Sequence, residues 1–136
     1  MLFDFKFDWD TSIEVGIQEI DTQHKEFFRI GRDLEQLILT ECKYTTEKEL
    51  LDLLCDIRQY ITYHFYTEEA EIARINPEAL KEHQAQHEML KKQINAIDCN
   101  KLVDEPLDEV RHIKDILQQW FFEHILIEDM KCLKNR

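Results

Sequence analysis

Two glycines and two prolines in 136 residues leave this chain few places to turn. Both residue types punctuate turns, and a sheet-rich fold of this length needs many of them. Leu, Ile, Glu, Lys and Gln dominate instead, so the chain is expected to be all-α. The length suits a single domain, residues 1–136, whose core needs no covalent reinforcement.

Apolar spacing divides the chain into an arm and four helices. Residues 1–16 alternate aromatic and polar types at Phe3, Phe5, Phe7 and Trp9. An isolated strand would have no sheet to join, so an extended arm packed across the helices is expected. The first helix spans about 17–39, with Ile17, Ile20, Phe27, Leu34 and Ile38 on one face. Thr46 and Glu49 make a capping box for the second, about 46–74, which carries Leu50, Leu54, Ile57 and Ile61. Asn76-Pro77-Glu78 reads as an N-cap with proline at the first helical position. The third helix then covers about 77–97 and buries Leu80, Leu90, Ile94 and Ile97. A polar loop, 98–106, leads to the fourth, about 107–131, with Val110, Ile113, Leu117, Trp120 and Ile127 inward. Connections this short imply antiparallel neighbours, and therefore an up-down-up-down four-helix bundle.

A net charge of −12 is the wrong sign for nucleic acid or an anionic membrane surface. The N-terminus has no basic region followed by an apolar run, and no segment approaches the roughly 20 apolar residues of a membrane span. A cytoplasmic location is expected. Cys42, Cys55, Cys99 and Cys132 show no C-x-x-C pairing and are expected as free thiols, with Cys55 in the core beside Leu53, Leu54 and Ile57.

Five of the six histidines fall on core-facing lines: His24, His64, His83, His87 and His124. His112 lies off those lines and reads as a surface residue. One such histidine would be an ordinary core residue with a satisfied hydrogen bond. Five, with the carboxylate of Glu68, are costly to bury unless they share a partner, and a metal supplies one. The start of the first helix, end of the second, start of the third and end of the fourth all lie at one end of such a bundle. His64/Glu68 and His83/His87 are i, i+4 pairs, about 40° apart on a helix. Five nitrogens are too many for one metal that keeps an open position, so two metals bridged by carboxylates are expected. Glu68 is one bridge. The other comes from the end of the fourth helix, where ideal geometry favours Glu128, four residues after His124, over Asp129, about 140° away.

The set His24, His64-Phe65-Tyr66-Thr67-Glu68-Glu69, His83-x3-His87 and His124-x4-Asp129 resembles the hemerythrin family, specifically its bacterial members. Trp9, Val15-Gly16-Ile17, Ile20-Asp21, Gln23-His24-Lys25 and Trp120 are similar as well, so the likeness covers nearly the whole chain. The resemblance implies two non-haem iron ions joined by an oxo or hydroxo bridge. His83, His87 and His124 would bind one, His24 and His64 the other, with Glu68 and Asp129 bridging. It therefore favours Asp129 over Glu128. These ligands leave one position open, on the iron with two histidines, where O2 would bind and leave. The implied function is oxygen storage, transport or delivery by a binding protein, with an oxidase or electron donor as the protein it would serve.

Ile20, Phe27, Phe28, Ile61, Phe65, Trp120 and Ile125 lie one turn from the ligands and are expected to exclude water and protons. No general acid or base stands out beside them. Gly31, one core repeat after His24, is expected to ease helix packing; Tyr63 and Tyr66 flank the site without an assigned role. Two other readings carry a metal: a di-iron enzyme with peroxidase, oxidase or nitric-oxide chemistry, and an O2 or redox sensor. Ferritin-like oxidases have carboxylate-rich sites, whereas imidazoles outnumber carboxylates here. Sensors usually carry an attached signalling domain, which is not expected in this chain.

Overall fold

The computed structural model describes residues 10–134. Phe3, Phe5, Phe7 and Trp9 of the expected arm lie outside the described residues. Among those described there is no strand, and no helix is long and apolar enough to cross a membrane. After a 3₁₀ turn at Thr11–Ile13, α1 runs Gln18–Leu39, α2 Glu47–Ile75, α3 Leu80–Asn95, α4 Cys99–Asp104 and α5 Pro106–Trp120. The chain then continues as a π-helix, Phe121–Lys134.

The Val15-Gly16 and Asp21 signals have a local cause. The Asp21 carboxylate accepts the N–H groups of Val15 (2.8 Å) and Gly16 (3.1 Å), tying the incoming chain to the first turn of α1. Gly16 sits at φ +86°, which a side chain would resist. Thr46 caps α2 as expected, its hydroxyl accepting the Glu49 N–H at 3.2 Å.

Four expectations need correction. Asn76 makes no side-chain cap; Pro77–Ala79 forms a 3₁₀ turn closed by Ala79 N–H on the Asn76 carbonyl, and α3 starts only at Leu80. Residues 98–106 are not simply a polar loop. Asp98 caps α4 by accepting from Asn100 and Lys101, and that helix anchors itself through the fully buried Leu102. Cys55 is exposed, because it lies one position beyond Leu54 and off the stripe that Leu50, Leu54, Ile57 and Ile61 bury. Ile127 is 58% exposed, since the wider π winding carries it off the inward line that α-helical spacing would give it. His112 is at the surface, as expected.

Helices α2 and α5 each pack against both α1 and α3. The start of α1 meets the end of α2 where Gln23 donates to Thr67 (3.1 Å). The end of α2 meets the start of α3 where Gln84 donates to Glu69 (3.2 Å). The apolar interior falls into two clusters. The larger includes Phe27, Phe28, Leu54, Phe65, Leu90, Ile113 and Ile125; the smaller joins Val15, Ile20, Ile72, Cys132 and Leu133.

Helices α1 and α2 and the π-helix each cross from one cluster to the other through a polar residue. His24 falls between Ile20 and Phe27, Glu68 between Phe65 and Ile72, and Asp129 between Ile125 and Cys132. Apolar packing on both sides fixes this polar seam in place. Leu54 is fully buried, and Leu54→Ala is expected to cost 2–5 kcal/mol of stability, in the range of about 2–5 for such cavities, while Cys55→Ser next to it stays within about 0.5 kcal/mol. Urea denaturation of both variants checks this; equal losses would contradict the burial pattern.

Candidate metal centre

The structure brings all seven expected site residues together in that seam, each almost completely buried: His24, His64, Glu68, His83, His87, His124 and Asp129. They form two groups with a shared member. Glu68, His83, His87 and His124 make one; His24, His64, Glu68 and Asp129 make the other. Glu128, the alternative to Asp129, is only half-buried and belongs to neither.

All five imidazoles approach through Nε2, and the two carboxylates divide their oxygens between the groups. Glu68 Oε1 lies 2.9, 3.0 and 3.3 Å from Nε2 of His83, His87 and His124. Its Oε2 lies 3.1 Å from His64 and 3.5 Å from His24. Asp129 repeats the arrangement, with Oδ1 at 2.8 Å from His83 and 2.9 Å from His124, and Oδ2 at 3.2 Å from His24. Asp129 reaches the seam because its segment is a π-helix, whose i→i+5 hydrogen bonding brings residue 129 over residue 124. On an α-helix Glu128 would have stood there.

The group of His24, His64, Glu68 and Asp129 fits a metal ion on an observation of its own. Nε2 of His24 and His64, Oε2 of Glu68 and Oδ2 of Asp129 are buried and have no hydrogen-bond partner, although Oε2 lies 3.1 Å from His64 and 3.5 Å from His24, and Oδ2 3.2 Å from His24. Such atoms are close but poorly aligned for bonding each other, as expected of groups aimed at a common point. Leaving four polar atoms unsatisfied in a dry interior is expensive, and a cation relieves all four.

The electrostatics agree. Burial opposes ionisation of Glu68, yet His64, His124 and His24 around it hold its carboxyl well below the ordinary value. Burial and the Glu68 charge oppose ionisation of Asp129, and His124 and His24 still hold it far below the usual range. Burial works against charge on His24 and His83, but hydrogen bonds to Asp129 and Glu68 push them up to about 9 and about 11. His124 is raised for the same reason, while burial wins at His64 and lowers it. Two buried carboxylates thus draw positive charge to the seam, which protons or metal ions can supply.

Residues 15–134 match the model of the hemerythrin HHE cation binding domain. The chain belongs to the hemerythrin family. It is 25% identical to the bacteriohemerythrin of Clostridium acetobutylicum over 127 residues, 93% of this chain and 98% of that one. Hemerythrin-like proteins of Naegleria gruberi and Naegleria fowleri are each 30% identical over 125 residues, covering 92% of this chain and 89% of theirs. No solved structure matches.

Around the seven residues of this hemerythrin-family site stand others whose roles spacing did not reveal. His64 Nδ1 donates to Gln23 Oε1 and His124 Nδ1 to Gln86 Oε1, both at 2.7 Å. These bonds select the tautomer that leaves Nε2 free for a metal. Phe65 lies parallel to the His87 ring at 3.8 Å, and Trp120 stacks on His124 at 3.9 Å. Tyr60 stacks on His64, and its hydroxyl donates to the Gln23 carbonyl. Burial and the charges of Glu68 and Asp129 raise Tyr60 well above its ordinary pKa, so it stays protonated. Tyr63 and Tyr66 are exposed. A signal for the amides did exist: Gln23 and Gln86 directly precede His24 and His87, although each amide serves a histidine of another helix.

Proposed function

We propose that this chain binds O2 reversibly at two iron ions held in the seam. His83, His87 and His124 would hold one, His24 and His64 the other, and Glu68 and Asp129 would bridge them. The observation that carries this reading is the division of each carboxylate between the two groups: Glu68 turns one oxygen toward His83, His87 and His124 and the other toward His24 and His64, while Asp129 turns one toward His83 and His124 and the other toward His24. We further read the helix pairings as an up-down-up-down bundle and the chain as one domain acting in the cytoplasm, its protein partner an oxidase or electron donor.

A ferrous pair with an oxo or hydroxo bridge, when bound, supplies the electrons that O2 takes up and returns. The protein's own part is to bind, orient and exclude. Gln23 and Gln86 orient imidazoles, and unequal imidazole numbers leave room on the side of His24 and His64. Ile20, Phe27, Phe28, Ile61, Phe65 and Ile125 are buried around the seam and Trp120 is half-buried, a surround poor in water and mobile protons. That favours release of O2 intact over its reduction, and a binding protein over an enzyme.

The test is iron content with visible absorption on anaerobically reduced protein, followed by exposure to air. Two irons per chain, with a band that forms in O2 and vanishes when O2 is removed, is the expected result. Irreversible oxidation by O2 would replace the carrier with an oxidase or sensor.

A further inference from the structure

The five imidazoles share one role at Nε2 but meet different partners at Nδ1. His64 and His124 face neutral amides, His83 faces the Cys132 sulfur at 3.7 Å, and His24 Nδ1 has no hydrogen-bond partner. Among the described residues, His87 alone has a carboxylate there: Glu69 Oε2 at 2.6 Å. Glu69 is held for this contact, because Gln84 occupies its other oxygen at 3.2 Å. It is also partly shielded from solvent, its side chain 23% exposed. The parallel Phe65 ring leaves His87 little freedom to swing away.

An amide oxygen and a carboxylate both accept the Nδ1–H and fix the tautomer. They differ in charge. A carboxylate draws on the Nδ1 proton and makes the ring a stronger donor at Nε2. A stronger donor favours the higher oxidation state of whatever metal it holds. We propose that Glu69 is a positioning and tuning residue, which acts through His87 to stabilise ferric over ferrous iron on the three-histidine side. Gln86 is the neutral counterpart in the same group, acting through His124. Glu69 therefore sets how readily the centre surrenders electrons, and its place directly after the bridging Glu68 puts this control one residue from the shared ligand. The inference rests on the di-iron reading.

Two charge swaps of equal size test it. Glu69→Gln removes the charge and keeps an acceptor; Gln86→Glu adds a charge beside His124. Spectroelectrochemistry on samples of matched iron content should find the ferric–ferrous midpoint raised in Glu69→Gln and lowered in Gln86→Glu. Opposite shifts cannot come from loosened packing, which would move both variants alike. Glu69→Ala, which loses the hydrogen bond as well, should weaken iron binding by roughly 10–100-fold. A readout without iron is the His87 Nδ1–H resonance of the metal-free protein, which should move upfield in Glu69→Gln. Unchanged midpoints in both swaps, or shifts of the same sign, overturn the proposal, as does an unmoved His87 resonance. A wild-type chain that takes up no iron fails the di-iron reading instead, and iron content tells the two failures apart.

Discussion

Asp129→Asn is expected to lose iron, while Glu128→Gln, one residue away, keeps both ions. Asp129 is fully buried, and its two oxygens face opposite groups of imidazoles, 2.8 Å from His83 on one side and 3.2 Å from His24 on the other. Asparagine retains one acceptor oxygen but turns an N–H2 toward the other group, where a metal needs a lone pair. The carboxylate charge that offsets two cations is lost as well. Affinity for at least one ion should fall by more than about 100-fold, beyond the range for residues that only support a ligand. Glu128 is half-buried at the edge of a surface groove and belongs to neither ligand group. Its substitution should leave iron content unchanged. Iron per chain after anaerobic loading and desalting decides the matter, with circular dichroism to show that both variants fold. If Glu128→Gln loses iron and Asp129→Asn does not, the end of the fourth helix is wound as an α-helix and the bridge has been misassigned.

That pair of residues also shows where sequence reasoning stopped. His24, His64, Glu68, His83 and His87 lie on α-helices whose apolar neighbours recur at sevens, so their convergence could be read from spacing. Asp129 could not, because nothing in the residues of 121–134 announces π winding. The ideal α-helix pointed to Glu128, and only the family resemblance pointed to Asp129. Ile127 was misplaced for the same physical reason. Cys55 and the loop before α5 are different failures. Apolar sequence neighbours do not put a residue on the buried stripe, and a short polar segment can still hold one anchoring side chain, as Leu102 does. The roles of the residues behind the imidazoles escaped spacing for a third reason. Gln23, Glu69 and Gln86 are polar types that usually face water, and their partners lie on other helices.

Metal removal should lower the melting temperature by roughly 10–20 °C and give the protein a pH dependence that the loaded form lacks. A ligand that binds the folded state alone adds about 4 kcal/mol at a thousandfold excess over its Kd, and the seam is formed only on folding. Without metal, positive charge must come from protons on His24, His83 and His124. The sign follows from the direction of each shift. His24 is raised from 6.5 to about 9, so its contribution is complete below pH 6.5 and is lost as pH rises through 9. His83, raised to about 11, loses its contribution later. Glu68 is depressed, so its contribution is present above the ordinary carboxylate range and disappears on acidification. Metal-free protein should therefore be most stable near pH 5–7, roughly, and melt progressively lower from about pH 7 to 10. In the loaded protein metal takes the place of those protons, and alkaline pH no longer strips charge from the seam. Thermal melts of both forms across that window make the comparison. Equal melting temperatures at pH 7 would mean that the seam holds no metal tightly; a metal-free protein that gains stability above pH 8 would mean that its histidines are neutral, and that the two carboxylates are balanced by something other than the imidazoles around them.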